Sequence, residues 1–250
     1  MKIKVGIEID EILRAKWLQF DRYYVEEFGD IDADDVNYTL NHYTLDFFNK
    51  YKFKDTEVTE RELKEPEDMI DNINPIYYQT NEKGESLADS FLFKPAETKI
   101  VLAKEMYNNF MYQDYCFEIH SSAPFMYKGM DKDVSDFILK YSKYCEFTIY
   151  GYENYFSIPP TLMFLSRMMS RFKNIKFVDN PLDILKESDI VITTNPEILK
   201  LKKPWFKKIV KVNRPYNENY KSFDVDIIQL KDLIDNEKFQ KIIKYKENKK

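Results

Sequence analysis

Glycine, cysteine and histidine are scarce in this chain, and long apolar runs are missing. Its 250 residues include only 5 Gly, 2 Cys and 2 His. Cys116 and Cys145 form no Cys-x-x-Cys or Cys/His cluster, so we expect buried thiols and neither a disulfide nor a zinc site. His42 and His120 have no partner pattern for a triad or metal site, so a structural role is expected for both.

Membrane and secretion signals are missing as well. No apolar run approaches the ~20 residues of a membrane span. No signal-peptide pattern precedes the strand-like segment that starts at Lys2. These absences predict a protein that is neither secreted nor bound to a membrane, and that is cytoplasmic or assembled from the cytoplasm.

A large net charge is also absent. The 38 Lys and Arg residues and 43 Asp and Glu residues give a net charge of −5, which provides no global basic field for nucleic acid. One basic cluster surrounds Trp205 and Phe206, and its members are Lys200, Lys202, Lys203, Lys207, Lys208 and Lys211. We interpret this cluster as a solvated face, with contact to nucleic acid or an acidic partner as the alternative. Nucleic acid is therefore not an expected partner.

Hydrophobic and aromatic residues, by contrast, are abundant. The chain is 44% hydrophobic and 16% aromatic, with 19 Tyr and 19 Phe. That content suffices for one filled core, and 250 residues leave room for a modest inserted subdomain. Tyrosine suits interfaces because its ring supplies contact area while its hydroxyl stays hydrated, although the coding bias of an AT-rich genome explains the same composition. We expect other protein subunits as partners, in a homo-oligomer or a hetero-oligomer.

Short apolar segments alternate with helical patterns along most of the chain. Strands are predicted at 2–10, 115–121, 146–150, 175–178 and 189–193, with edge strands within 205–212 and 225–230. Helices are predicted at 12–28, 133–144, 159–172, 182–187 and 235–250. This order predicts an α/β fold with a mainly parallel sheet and helices on both faces.

The segment 29–93 has a different character. It is acidic and aromatic, and Pro66 and Pro75 interrupt its helical spacing. We interpret it as an inserted, mostly helical cap. The predicted domains are therefore a core made of 1–28 and 94–250, and the cap at 29–93.

Polar residues stand at three of the predicted strand ends, where parallel α/β sheets place their working residues. In chain order they are Glu8 and Asp10, Ser121 and Ser122, and Thr193 and Thr194. The last pair is followed by Asn195-Pro196-Glu197. Carboxylates and hydroxyls that meet at one sheet edge are candidates for phosphate or metal chemistry.

The sequence around these residues resembles the haloacid-dehalogenase (HAD) superfamily, especially its 5'-deoxyribonucleotidase-like branch. That family begins with a strand ending Asp-x-Asp-Gly-Val-Leu, and residues 8–13 here read Glu-Ile-Asp-Glu-Ile-Leu. It carries Thr or Ser after its second strand and Asp-Asp-Asn-Pro-Glu after a later one, where residues 193–197 read Thr-Thr-Asn-Pro-Glu. Residues 213–217, Asn-Arg-Pro-Tyr-Asn, resemble a segment beyond that last motif. The resemblance covers nearly the whole chain and implies a HAD-like Rossmannoid core with a helical cap.

Several positions that carry the chemistry of the family are substituted here. The resemblance places Glu8 where the family has its Asp nucleophile, and Asp10 where it has the general acid and base. Ser121 matches the phosphate-binding Thr or Ser, whereas Thr193 and Thr194 replace the paired Asp residues that help to hold magnesium. Neutral hydroxyls are poor magnesium ligands, and a misplaced reacting group lowers the rate steeply. We interpret these five positions as vestigial and expect no catalytic residue, no metal and no cofactor.

The position of the family's lysine is also altered. Asn180-Pro181 stands where the resemblance would place it, and Lys173 and Lys176 are the nearby candidates. If the pocket still holds phosphate, the residues expected to bind it are Ser121 and Ser122, helped by backbone amides after the strands.

The same residues have simpler structural interpretations. Glu8 and Asp10 are suited to cap the helix that follows their strand. Thr194 or Asn195 is suited to cap a helix whose first residue is Pro196. We expect the capping role for these last residues.

Three functions of different classes fit this pattern. The preferred one is a catalytically inactive HAD-like protein with a structural or assembly role, for example a tail or connector component of a tailed-phage virion. The alternatives are a magnesium-dependent 5'-nucleotidase or phosphatase with an atypical site, and a regulator that binds a nucleotide or phosphate without hydrolysing it. An enzyme must bind magnesium and release product, whereas the regulator is stabilised by its ligand and forms none.

Overall fold

The structure is a computed structural model that describes residues 2–28, 106–168, 172–201, 207–220 and 224–248. The described residues divide between two compact units, and the first contains those up to Tyr23 and those from Tyr112 onward. Every side chain of the site below belongs to this first unit. The predicted cap at 29–93 lies outside the described residues, so its existence and boundaries stay predictions. None of the described helices is long and apolar enough to cross a membrane.

A six-stranded sheet forms the centre of the first unit. Its strands are β1 (Ile3–Glu8), β2 (Cys145–Gly151), β3 (Asn174–Phe177), β4 (Ile190–Thr193), β5 (Lys208–Val212) and β6 (Val225–Ile227). Their order across the sheet is β3-β2-β1-β4-β5-β6, and every neighbouring pair is parallel. The predicted α/β fold with a mainly parallel sheet is confirmed. From β1 the chain first builds the sheet outward on one side, through β2 and β3, and then on the other, through β4, β5 and β6. Open α/β sheets bind ligands in the crevice at the carboxyl ends of the strands where the direction of building changes.

Helices connect the strands. The described ones are α1 (Lys16–Phe28), α2 (Cys116–Ser121), α3 (Met130–Tyr141), α4 (Ile158–Arg167), α5 (Leu182–Glu187), α6 (Pro196–Lys200) and α7 (Glu237–Asn248). A π-helical turn spans Phe110–Asp114, and 3₁₀ turns span Pro215–Asn217 and Leu230–Leu233.

Both faces of the sheet are covered, as predicted. On one face, Val5 and Ile7 belong to a buried cluster with Phe137 of α3 and Phe239 of α7. On the other face, a second buried cluster joins strand residues to Ile184 of α5 and to residues of α6. Alternate residues of a strand point to opposite faces, so a strand buried on both sides is apolar almost throughout.

Gly6 permits the close approach of α5 to β1. A Cβ atom at this position would lie 2.5 Å from Ser188 Oγ and 2.8 Å from Ile184 Cγ2. Real Cβ atoms do not come so close to such neighbours, so any other residue here would require these side chains to shift.

The strand predicted at 115–121 is wrong, because this segment forms α2. Cys116, Ile119 and His120 are buried, whereas Phe117 is exposed, and the spacing i, i+3, i+4 is that of one helix face. A short apolar run of this kind does not separate strand from helix by periodicity alone. The neighbours of β1 in the sheet are β2 and β4, and the segment that ends at Ser121 is not one of the strands.

Candidate functional site

Glu8 ends β1 with its carboxylate buried inside the protein. Its Oε2 accepts hydrogen bonds from Thr193 Oγ1 at 2.7 Å and from the Thr194 backbone N–H at 2.9 Å. Its Oε1 accepts a hydrogen bond from the Tyr152 hydroxyl. Burial raises the pKa of Glu8 to about 7, although the three hydrogen-bond donors favour the ionised form.

Parallel pairing explains why these residues meet. Ile7 of β1 lies opposite Ile149 of β2 and Ile192 of β4. The residues that leave the carboxyl ends of β2 and β4 therefore converge on Glu8. Glu8, Thr193 and Thr194, which the sequence analysis singled out at two strand ends, therefore lie together. Tyr152 was not singled out.

Thr193 and Asn195 connect the site to α6. The Asn195 backbone N–H donates to Thr193 Oγ1 at 2.9 Å, and Asn195 Oδ1 accepts from the Glu197 N–H at 2.8 Å. Asn195 is thus the N-cap, and Pro196 is the first helical residue. The predicted capping role of this segment is confirmed, with Asn195 as the capping residue.

Asp10 is held by two buried cations. Its Oδ1 accepts from Arg14 Nε at 2.7 Å, and its Oδ2 accepts from Lys16 Nζ. Burial lowers the pKa of Lys16, but Asp10, Glu153 and Tyr112 together outweigh that effect and raise it above its ordinary value. Both oxygens of the Asp10 carboxylate are therefore engaged in ion pairs inside the protein.

Arg14 carries the pairing from Asp10 to a second buried acid, Glu153. Arg14 Nη2 donates to Glu153 Oε1, and Arg14 Nη1 donates to the Thr161 hydroxyl at 2.7 Å and the His120 carbonyl at 3.0 Å. Burial lowers the pKa of Arg14, but the neighbouring carboxylates raise it above its ordinary value. This guanidinium uses all of its nitrogens within the fold.

Glu153 lies two residues beyond β2 and connects three segments of the unit. In addition to Arg14, it accepts hydrogen bonds from Ser157 Oγ at 2.6 Å and Thr161 Oγ1 at 2.9 Å. Burial raises its pKa, but Arg14 and His120 outweigh that effect and hold it well below the usual range. Glu153 is therefore an ionised acid at the start of α4, where its charge also complements the helix dipole.

His120 is fully buried beside this acid. Its Nδ1 lies 3.2 Å from Glu153 Oε2, but neither ring nitrogen has a hydrogen-bond partner of acceptable geometry among the described residues. The distance indicates an electrostatic contact, and the angles exclude a well-formed hydrogen bond. The ring stacks on Tyr112 at a centroid distance of 5.7 Å. Burial lowers the pKa of His120 below its ordinary value, although the neighbouring Glu153 acts in the opposite direction.

The loop between β1 and α1 has an unusual backbone at Glu11, where φ is +59°. The Glu11 N–H donates to the Arg14 carbonyl at 2.8 Å, and the Glu11 carbonyl accepts from Arg214 Nε at 2.9 Å and Nη2 at 2.6 Å. Its side chain accepts from the Trp17 N–H at 3.1 Å, and burial raises its pKa to about 7. These contacts hold a left-handed conformation that favours glycine.

Ser121 and Ser122 do not stand at a strand end, so that prediction is wrong. Ser121 is the last residue of α2, and its hydroxyl lies 3.3 Å from that of Ser122. The Ser121 carbonyl accepts from Arg167 Nη1 at 2.7 Å. In the described part of the chain, no hydrogen bond connects either serine hydroxyl with Glu8 or Asp10.

The lysine candidates make no hydrogen bond or ion pair with Glu8 or Asp10 in the part of the chain that the structure describes. Lys176 is exposed on β3 and bonds to Glu187 Oε2 at 2.5 Å, and Lys173 is exposed just before that strand. The cations at Asp10 are instead Arg14 and Lys16. Sequence reasoning missed both, although the spacing of Asp10 and Arg14 at i and i+4 suits an ion pair.

The basic cluster falls partly outside the described residues, which omit 202–206. Lys208 pairs with Asp224 at 3.1 Å, and Lys207 donates to the Ser188 carbonyl at 2.7 Å. Lys211 is buried and donates to the Tyr220 carbonyl at 2.6 Å. The interpretation as a solvated face is therefore wrong for Lys211.

Cys116 and Cys145 are buried free thiols, as predicted. Within the described ranges, no group of three or more His, Cys, Asp and Glu side chains is placed so that it could hold a metal ion. The site is a set of internal carboxylate pairs at the carboxyl edge of the sheet. The hydrogen-bond donors and acceptors of these side chains bind each other, which stabilises the fold.

No protein-family model matches the chain, and no curated protein matches it.

Proposed function

We propose that this chain is a HAD-like protein that has lost phosphatase chemistry and serves as a structural or assembly component. One observation carries the proposal. All four carboxylate oxygens of Glu8 and Asp10, the two acids at the strand end, have hydrogen-bond or ion-pair partners inside the protein. A phosphatase of this type needs the same two carboxylates for substrate.

The environment of Glu8 opposes nucleophilic attack. Its side chain is buried, with 2% of the residue exposed, and it is longer by one methylene than the aspartate that the resemblance implies. Phosphoryl transfer depends on in-line positioning, and an error of ~1 Å can cost ~100-fold in rate. Tyr152 and Thr193 hold Glu8 in a position that serves the fold.

The environment of Asp10 opposes proton transfer. To act as a general acid or base it would have to leave Arg14 and Lys16, which are buried with it. Separating a buried charge from its ion-pair partner typically costs ~3–5 kcal/mol. That cost would add directly to the barrier of any reaction that used this carboxylate.

Thr193 further disfavours magnesium. Its hydroxyl donates its proton to Glu8 and accepts from the Asn195 N–H. The oxygen is therefore committed to the fold, whereas magnesium requires hard and preferably anionic oxygen ligands.

The backbone at Glu11 supports the HAD-like ancestry independently of the side chains. The family pattern has glycine at this position, and Glu11 has the positive φ that glycine adopts readily. The chain has this turn without the glycine, as we would expect of a HAD-like protein that retained the fold after it lost the phosphatase chemistry.

The assembly role is supported by the exposed aromatic side chains. Tyr155 and Phe156 are 83% and 64% exposed, and such rings on a protein surface suit interfaces. A tailed-phage virion remains our prediction for the kind of assembly.

The test is a turnover assay with magnesium and a panel of deoxynucleoside monophosphates, run beside a thermal-shift measurement. We expect no phosphate release above that of the Asp10→Asn variant, and no shift in melting temperature with magnesium or nucleotide. Phosphate release that Asp10→Asn abolishes would restore the enzyme and overturn the proposal. A nucleotide-induced shift without product would identify the non-hydrolysing regulator instead.

A further inference from the structure

A group of large apolar side chains is exposed on α2, on α4 and in the loop between β2 and α4. We call it the aromatic patch, and its members are Phe117, Tyr155, Phe156, Leu162 and Met163. α2 and α4 pack against each other, so the two helices and the loop adjoin. Single exposed apolar residues are ordinary, but several on adjoining elements mark an interaction surface.

The loop presents its two rings in a fixed arrangement. Asn154 Oδ1 accepts from the backbone N–H groups of Phe156 at 3.0 Å and Ser157 at 3.1 Å. The Phe156 carbonyl accepts from Cys116 Sγ at 3.5 Å, which ties the loop to α2. The rings of Tyr155 and Phe156 meet edge to face at 5.9 Å. A surface that is already ordered loses little conformational entropy when a partner binds.

Acidic side chains lie beside Phe117 of the patch. Segments 112–127 and 144–166 contain no Lys or Arg, in a chain that has 38 of them. Asp114 is exposed and Glu118 is partly exposed beside Phe117. Arg167, exposed at the end of α4, is the cation next to these segments. The two acids on the α2 side of the patch favour a basic partner.

A complementary surface exists on α7 of the same chain. Phe239 and Ile243 are buried and anchor this helix, while Lys238, Lys241 and Lys244 are exposed on it. Tyr245, also on α7, is 47% exposed. We call this surface the basic face. Both surfaces are exposed in one chain, so neither satisfies the other within it.

We propose that copies of this chain associate head to tail, with the aromatic patch of one copy seated on the basic face of the next. The aromatic rings would supply buried area, and the lysines would pair with Asp114 and Glu118. Because the two surfaces differ, the contact is heterologous and generates a ring or an open filament. This inference names the partner for the proposed assembly role and rests on that role. Its test measures mass and not turnover, so the two can fail separately.

The experiment is sedimentation analysis of the full chain over a range of protein and salt concentrations. We expect the wild type to exceed the mass of one chain, with association that strengthens with concentration and weakens with salt. The double variant Tyr155→Ser/Phe156→Ser should weaken association at least ~10-fold. The matched control Leu139→Ser, at an exposed apolar residue of α3, should leave it unchanged.

A charge swap tests the pairing itself and does not depend on the apolar variant. Glu118→Lys and the double variant Lys241→Glu/Lys244→Glu should each associate more weakly than the wild type. An equal mixture of the two should recover association, because each then offers the charge that the other lacks. Lys132→Glu, at an exposed residue of α3, is the control and should not restore association to Glu118→Lys.

Three results would overturn the proposal. One is a wild type that stays monomeric up to its highest soluble concentration, including a monomer that binds lipid vesicles through Tyr155 and Phe156. Another is association that the folded patch and α7 variants leave intact. The third is a mixture of charge-swapped chains that associates no better than either variant alone.

Discussion

Arg14 Nε lies 2.7 Å from Asp10 Oδ1, and both side chains are buried. The same guanidinium reaches Glu153, which is 139 residues away in sequence. One cation thus neutralises an acid from the β1 end and an acid from the β2 end. This arrangement gives the carboxylates a structural purpose that is measurable as stability.

Replacement of Arg14 should therefore be strongly destabilising. Arg14→Met removes the charge and leaves Asp10 and Glu153 buried without their main partner, which typically costs ~3–5 kcal/mol in the free energy of unfolding. Urea denaturation measures this change. Lys186→Met, which breaks an exposed pair with Asp183, is the control and should cost ~0–1 kcal/mol. Similar losses for the two variants would contradict the buried network.

The titration of Glu8 should appear in the pH dependence of stability. Its pKa is raised from 4.5 to about 7 in the folded protein, so the folded state binds this proton more tightly than the unfolded state. The stabilisation is complete below pH ~4.5 and is lost as the pH rises towards 7. Glu8→Gln removes the titrating group. As the pH rises through this window, the free energy of unfolding of the variant should therefore increase relative to that of the wild type, by about 3 kcal/mol in total.

Measurement of unfolding free energies at several pH values between 4 and 8 checks this prediction. Glu146→Gln, at an exposed residue of β2, serves as the control. A difference between Glu8→Gln and the wild type that stays constant with pH would show that Glu8 titrates alike in both states.

The positive φ at Glu11 predicts an inverted order of alanine and glycine. Both Glu11→Ala and Glu11→Gly lose the hydrogen bond to the Trp17 N–H, but only glycine adopts φ of +59° without a steric cost. Glu11→Gly should thus be more stable than Glu11→Ala by ~1 kcal/mol.

The helical control should give the opposite order. Asp136 is exposed in the middle of α3, and glycine in a helix interior is less stable than alanine by ~0.5–1 kcal/mol. Thermal or urea unfolding of the alanine and glycine variants at positions 11 and 136 gives the two stability orders. The same order at both positions would mean that the Glu11 backbone is unstrained.

Gly6 should tolerate no side chain while α5 stays in place. Gly6→Ala places a methyl group 2.5 Å from Ser188 Oγ and 2.8 Å from Ile184 Cγ2, and overpacking of this kind typically costs ~1–3 kcal/mol. Adding Ser188→Ala, which removes the clashing hydroxyl, should recover part of that loss in the free energy of unfolding. Equal stability of Gly6→Ala and the wild type would contradict the close packing of α5 on β1.

Much of the fold was predictable because apolar strands and amphipathic helices have different periods. The proximity of Glu8 to Thr193 followed from the rule that parallel strands end at one edge. α2 was mistaken for a strand because its apolar run is short and its burial at Cys116, Ile119 and His120 becomes clear only in the folded chain. That error also moved Ser121 to the wrong place.

The ionic network was not predictable from local sequence. Glu153 has no motif around it, and its partners Arg14 and His120 are far from it along the chain. Tyr152 likewise meets Glu8 only because β1 pairs with β2. Pairings of this kind depend on strand order, which periodicity does not specify.

Internal partners occupy the carboxylates of Glu8 and Asp10, and we expect them to prevent metal binding. Manganese, a paramagnetic substitute for magnesium, tests this directly when its binding is titrated by electron paramagnetic resonance. We expect no stoichiometric manganese site in the wild type, and the same result for Asp10→Asn. A stoichiometric site in the wild type that Glu8→Gln and Asp10→Asn both abolish would contradict it.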